Sequence, residues 1–296
     1  MAQAAPGKML DCPPWKAEAH GPGFSVPAGA CDAHFHIFWE GERFPYVQGR
    51  SYTPPDAPLK AFQRLQRILG TERAVIVHPS VYGTDNRASL EAMELAGPSW
   101  RGIVVVPPDI PAPELKAMHD LGVRGVRINL LFAGGTSDEG LEKLARKIEP
   151  LGWHVQLLID VSAFPDVRKR LGALPVPVVF DHMGMMPAAK GMEHPGFQDM
   201  LALLGEGKAW VKLSGAYRIT AQKNAPYEDV TPIARKIAAT NPDQCVWGSD
   251  WPHPHCPVPM PDDGDLLDML AIHVPDEAER NRILVENPAR LYGFPR

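Results

Sequence analysis

Two imidazoles one residue apart, in Asp32-Ala33-His34-Phe35-His36, are the first residues of this chain whose types and spacing could do chemistry. Side chains of an extended strand alternate between faces, so His34 and His36 point the same way. Such a pair can chelate a transition metal, or jointly hold a carbonyl or an oxyanion. Alone, the pair is as readily one packed and one solvated histidine. Two further candidates argue otherwise: His182 ends the run Val178-Val179-Phe180-Asp181-His182, and Asp250 ends Val246-Trp247-Gly248-Ser249-Asp250. Three imidazoles and an acid brought together could form a first shell for one Zn²⁺ or similar ion, with a water left for chemistry. Without an ion, Asp250 could deprotonate water while the imidazoles polarise a carbonyl. The sequence leaves both uses open.

For these residues to meet, distant parts of the chain must share one end of a fold. From Cys31 onward, short apolar β-branched runs alternate with longer amphipathic ones, the pattern of parallel strands with helical crossovers. It predicts eight strands, at 31–37, 73–78, 102–106, 124–129, 154–159, 177–181, 209–213 and 244–248. Helices are expected at 58–69, 87–96, 112–121, 138–150, 163–172, 196–205, 227–239 and 265–273, with an extra C-terminal helix near 276–291. Ser137 ahead of Asp138 and Glu139, and Pro275-Asp276-Glu277, are start signals. Eight strand–helix units predict a single (β/α)₈ TIM barrel of the α/β class over 31–296, preceded by an N-terminal arm, 1–30. A doubly wound sheet would call for a Gly-rich dinucleotide turn after the first strand, and none is present. In a barrel the carboxyl ends of strands one, six and eight open on one mouth, where His34, His36, His182 and Asp250 would converge.

With 35 acidic against 30 basic residues and no Lys/Arg run, the chain has no electrostatic footprint for nucleic acid or a membrane surface. A small molecule is the expected partner. Cys12, Cys31, Cys245 and Cys256 show no CxxC spacing and suit a reducing cytoplasm. The Pro-, Gly- and Ala-rich start has neither a basic head with an apolar run nor a cleavage site, so no signal peptide is expected. Nor does any stretch reach the length of a membrane span. Oligomeric state is not legible.

Other polar residues have plain uses to weigh first. His154 opens a strand and is expected to pack at the lower rim of the barrel. His78 and Tyr82 lie in HPSVYGTDN, a loop at the mouth that Asp85 and Asn86 can brace; both are candidates for ligand contact. Arg124 is expected in a salt bridge at a strand start, His255 in a structural role, and Met183, Met185 and Met186 in apolar packing.

DAHFHIF, VIVHPSVYGTDN, GVRGVRINL, FDHMG, VKLSGAYR, VWGSDWPHP with PDDG after it, and NPARLYGF together resemble the branch of the amidohydrolase superfamily that holds 2-pyrone-4,6-dicarboxylate lactonase and related lactonases. The likeness implies a (β/α)₈ barrel and hydrolytic opening of a carboxylate-bearing lactone, in aromatic or sugar-acid catabolism. It implies that Asp250 activates water, that His34, His36 and His182 line the carbonyl side, and that His253 orients the site. No cofactor is required in the lactonase itself, whereas other members of the wider branch hold zinc. Here one Zn²⁺ would sit on His34, His36, His182 and Asp250.

Substrate positions match only in part. Arg127, Arg218 and Tyr52 agree with the branch. Its second arginine after the fourth strand is Ala133, its fifth-strand tyrosine Leu158, and its arginine after DHMG Met185. Losing two guanidinium–carboxylate contacts implies a smaller or less charged lactone, with Arg127 and Arg218 left to hold its acidic groups. Strand four has no lysine and strand five has its histidine at the wrong end, which argues against a two-metal site. The alternatives within the same barrel are a mononuclear zinc hydrolase of the sugar-acid or muconolactone type and a decarboxylase.

Overall fold

The computed structural model describes residues 10–41, 43–132 and 140–295. Eight parallel strands run in chain order around a barrel: β1 (Cys31–Phe35), β2 (Arg73–Val77), β3 (Trp100–Val104), β4 (Val123–Asn129), β5 (His154–Leu158), β6 (Val178–Phe180), β7 (Ala209–Leu213) and β8 (Cys245–Trp247). The ring closes between its ends through a parallel bridge, Phe35 to Trp251, with His36 N donating to Trp251 O and Asp250 N to His34 O, both at 2.8 Å. Gly248 sits at this seam because any Cβ there would lie 2.6 Å from His34 Cβ and 2.7 Å from its backbone nitrogen. The third strand starts two residues before the expected position.

Strand alternation divides the apolar residues. Ala74 and Ile76 of β2 join the large core under the helices, while Val75 and Val77 join Cys31, Ala33, Ile103, Val179 and Val246 in a second cluster inside the barrel. Tyr292, which ends the last helix, and Phe294 just beyond it complete that inner cluster, and His154 meets the Tyr292 ring at 5.5 Å. The C-terminus therefore closes the lower end. Arg124 donates to the carbonyls of His119 and Val123 rather than to a carboxylate, correcting the expected salt bridge: among the described residues no acid lies within ion-pair distance there, and backbone acceptors do.

The crossover helices form where apolar residues repeat on one face. In α1 (Leu59–Leu69) Phe62, Leu65 and Leu69 are buried, and left-handed Gly70 ends the helix by donating to Gln66 O. Phe62 stacks on Phe35 with ring centroids 3.6 Å apart, which ties the helix layer to the seam strand. Asp262 and Asp276 cap the helices at Asp263–His273 and Glu277–Asn281. The predicted C-terminal helix is one rod in three pieces, with a π turn at Arg282–Glu286. The expected start signal at Ser137 to Glu139 lies outside the described residues; the helix there is described from Leu141 to Ile148.

In the described part of the arm, Leu10–Asp11 pairs with Tyr52–Thr53, Trp15 meets the Trp251 ring at 5.0 Å, and His20 N donates to Asp262. No described helix is long and apolar enough to cross a membrane.

Candidate active site

The residues singled out from three separate strands meet at the carboxyl end of the barrel. His34 Nε2 and His36 Nε2 lie 3.6 and 3.5 Å from Asp250 Oδ1, and His182 Nε2 lies 3.5 Å from Asp250 Oδ2. All four side chains are at most 4% exposed. Asp250 and His182 both have left-handed backbones, φ 65° and 50°, a strained geometry for residues with a Cβ and one that clusters at functional sites. Gly215 lets the next strand end pass: a Cβ there would touch the His182 ring at 2.7 Å.

The two oxygens of Asp250 have different surroundings. Oδ2 accepts from the Tyr217 hydroxyl and from Arg218 Nε, each at 2.5 Å. Oδ1 is buried with no hydrogen-bond partner, and so is His34 Nε2. Burial would raise the Asp250 carboxyl, yet Arg218 and His182 beside it hold it well below the usual carboxylate range. Burial likewise drives the imidazoles down, His182 to about 4 and His34 well below its ordinary value, so all are neutral at pH 7.

Each imidazole is held at its other nitrogen. His36 Nδ1 is 2.7 Å from Val77 O, which can only accept; Nδ1 therefore carries the proton and Nε2 presents a lone pair toward Asp250. His182 Nδ1 meets Ser214 Oγ at 2.9 Å. His34 Nδ1 lies 3.2 Å from Asp181 Oδ1 and 3.3 Å from Lys212 Nζ. Asp181 also accepts from Arg127 and Gln156, and Lys212 donates to Ala33 O and Gln156 Oε1. This buried set forms the floor beneath the imidazoles.

A family model described as amidohydrolase matches residues 31–294. The chain belongs to the amidohydrolase family. It is 40% identical over 276 residues to the 4-sulfomuconolactone hydrolase of Hydrogenophaga intermedia, covering 91% of this chain and 90% of that one. To the 2-pyrone-4,6-dicarboxylate hydrolase of Comamonas testosteroni it is 38% identical over 289 residues, 94% of each chain. A ligand-free crystal structure from Agrobacterium tumefaciens superposes with TM-score 0.85 at 29% identity, over 93% of this chain and 99% of that one.

Around His36, His182 and Asp250, this amidohydrolase has a mouth lined by Tyr52, Arg127, Asn129, Phe132, Leu158 and Arg218 among others. Arg127 is turned onto Asp181 and Arg218 onto Asp250 and Pro254 O (3.0 Å). His78 and Tyr82 do not line the mouth. His78 Nδ1 meets Ser89 Oγ, and the Tyr82 hydroxyl accepts from Trp39 N, behind the wall. His253 Nδ1 is 3.2 Å from the Tyr217 hydroxyl and its Nε2 3.1 Å from Asp263, so it backs the residue that holds Asp250. Ala133 lies outside the described residues.

Sequence reasoning missed Asp181, Lys212, Gln156, Tyr217 and Asn129. A signal existed for three of them. Lysine, glutamine and asparagine inside apolar barrel strands stand out, because a buried parallel strand is otherwise a run of apolar residues.

The same geometry can be tested against a divalent cation. His34, His36 and Asp250 offer three donor atoms all within 4.8 Å of one another, and the 3.6 and 3.5 Å spacings of the two imidazoles to Asp250 Oδ1 fit an ion in their midst. At Zn–N distances near 2.1 Å, tetrahedral ligands lie about 3.4 Å apart. The orphaned His34 Nε2 and Asp250 Oδ1, with the lone pair of His36, are what such an ion would satisfy. The residues fit.

Proposed function

We propose that this amidohydrolase opens a carboxylate-bearing lactone by adding a water that Asp250 deprotonates. The observation that carries this is the division of labour on Asp250: Oδ2 is held by Tyr217 and Arg218, and Oδ1 is buried, unpartnered and turned to the imidazoles. Kinship with lactone hydrolases along nine-tenths of the chain supports it.

Asp250 Oδ1 takes one proton as the water oxygen bonds to the lactone carbonyl carbon. The tetrahedral adduct then collapses, the bond from acyl carbon to ring oxygen breaks, and the Asp250 carboxyl returns its proton to that departing oxygen. The hydroxy acid formed ionises, so one proton is released per turnover. Asp181 and Val77 O hold His34 and His36 in place, and the buried floor excludes bulk water.

His34, His36, His182 and Asp250 would hold a single Zn²⁺ or similar ion. When bound, it would supply Lewis-acid polarisation of the carbonyl and a more acidic water. Four thiols without a disulfide suit a reducing cytoplasm.

Ring opening releases acid, so a pH indicator over a panel of lactones, with and without added Zn²⁺, tests the proposal. Turnover of at least one carboxylated lactone, lost in Asp250→Asn, is expected; turnover that survives in Asp250→Asn would remove Asp250 as the base.

A further inference from the structure

Asn129 ends β4 two residues after Arg127, so both face the mouth. Its Oδ1 accepts from the backbone nitrogens of Leu131 and Phe132, each at 3.0 Å, which fixes the amide orientation. Nδ2 must then point the other way, and it is buried with no partner among the described residues. A desolvated donor left unpaired is costly, unless a ligand completes it.

The remaining donors of the mouth are few. Arg127 sends Nε and Nη2 to Asp181 and Nη1 to His78 O, at 3.2–3.5 Å. Arg218 commits Nε to Asp250 and Nη2 to Pro254 O, leaving Nη1 without a partner among the described residues. Apart from the imidazoles, Arg218 Nη1, Asn129 Nδ2 and the Tyr52 hydroxyl are the donors that the described residues leave for a substrate. These suffice for one carboxylate and one ring oxygen, not for two carboxylates or a string of hydroxyls.

Beside these donors the mouth is apolar. Leu158 and Pro254 line it with Phe132, whose ring is braced at 5.7 Å by Tyr52 and at 5.1 Å by His255. A hydroxyl or carboxylate against this wall would lose its water and gain no partner.

Building on the lactonase reading, we propose that the substrate is a small lactone with a single carboxylate, held by Arg218 and Asn129, and an otherwise apolar ring edge against Phe132, Leu158 and Pro254.

The full-length protein, assayed with and without Zn²⁺, would be offered four lactones. They are an unsaturated five-membered ring with one carboxymethyl group, the same ring with methyl in its place, a pyrone dicarboxylate and a polyhydroxylated aldonolactone. The monocarboxylate is expected to lead in kcat/KM by at least about tenfold over the others. A dicarboxylate or polyol in first place would overturn this inference and leave the lactonase reading intact; no hydrolysis of any lactone would remove both. Asn129→Asp keeps the oxygen that caps Leu131 and Phe132 and exchanges only the amide donor for negative charge. It should raise KM for the monocarboxylate about tenfold and for the methyl analogue less than about twofold. Equal effects on the two rings would reduce Asn129 to a turn residue and refute its part in binding.

Discussion

Asp250 donates its backbone N–H to the carbonyl of His34 at 2.8 Å, so a bond that closes the barrel also sets the candidate base against the first imidazole. The carboxylate is thereby fixed by the fold itself, and its side chain needs only Tyr217 and Arg218 to orient it. Rigid placement of this kind is what a general base requires.

Asp250→Asn tests that base directly. The amide keeps the size of the side chain but cannot accept a proton, so kcat should fall by about 10²–10⁴ while KM stays within about threefold. Steady-state kinetics on the best lactone, with a circular dichroism spectrum to certify folding, decide it. A variant within tenfold of the parent kcat would assign proton abstraction to another group.

Much of this arrangement was legible before any coordinates. Alternating apolar and amphipathic runs gave the eight strands because a barrel buries each strand on both faces, and the polar residues at their carboxyl ends then fell on one mouth. His34, His36, His182 and Asp250 do lie together there. Spacing could not show that Arg127 and Arg218 are turned onto Asp181 and Asp250. Such pairing depends on side-chain direction across strands far apart in sequence. Likewise Tyr82 and His78 occupy a loop near the mouth, yet their side chains bond to Trp39 and Ser89 behind it. A loop's position is readable from topology; where its side chains point depends on packing.

Tyr217→Phe removes a hydroxyl that touches Asp250 Oδ2 and leaves His253 Nδ1 without that partner. A hydrogen bond to a charged group contributes about 1.5–3 kcal/mol, which as transition-state support corresponds to a loss of roughly ten- to hundredfold in kcat/KM. The melting temperature should drop by about 2–4 °C. Unchanged kinetics alongside a lowered melting temperature would confine Tyr217 to a structural part.

Acid should destabilise the protein in two stages. His34, His36 and His182 are all depressed by burial, His182 to about 4 from an ordinary 6.5. Between those values the unfolded chain binds more protons than the fold, so stability falls as pH drops from about 6.5 toward 4. Asp181 and Asp250 are held below their ordinary 3.8 despite burial, by His34 and Lys212 in one case and by Arg218 and His182 in the other; their contribution is present above that value and is lost on further acidification. Calorimetry from pH 7.5 to 3 should show the melting temperature declining across both windows. A constant value between pH 7 and 4.5 would mean that the imidazoles are not buried as neutral groups.

A divalent ion is the remaining prediction, and it has a readout independent of turnover. Protein stripped with a chelator should take up one equivalent of Co²⁺ and develop the intense visible absorption of a tetrahedral site, because His34, His36 and Asp250 present three donor atoms within 4.8 Å of one another and His182 Nε2 lies 3.5 Å from the second Asp250 oxygen. His36→Ala deletes a ligand and should abolish the band. Ser214→Ala keeps all four ligands but frees His182 Nδ1, and loss of such an orienting contact typically costs 10- to 100-fold in metal affinity. Absence of a tetrahedral spectrum at a saturating metal concentration, in protein that still opens lactones, would assign the lone pair of His36 to a bound water instead.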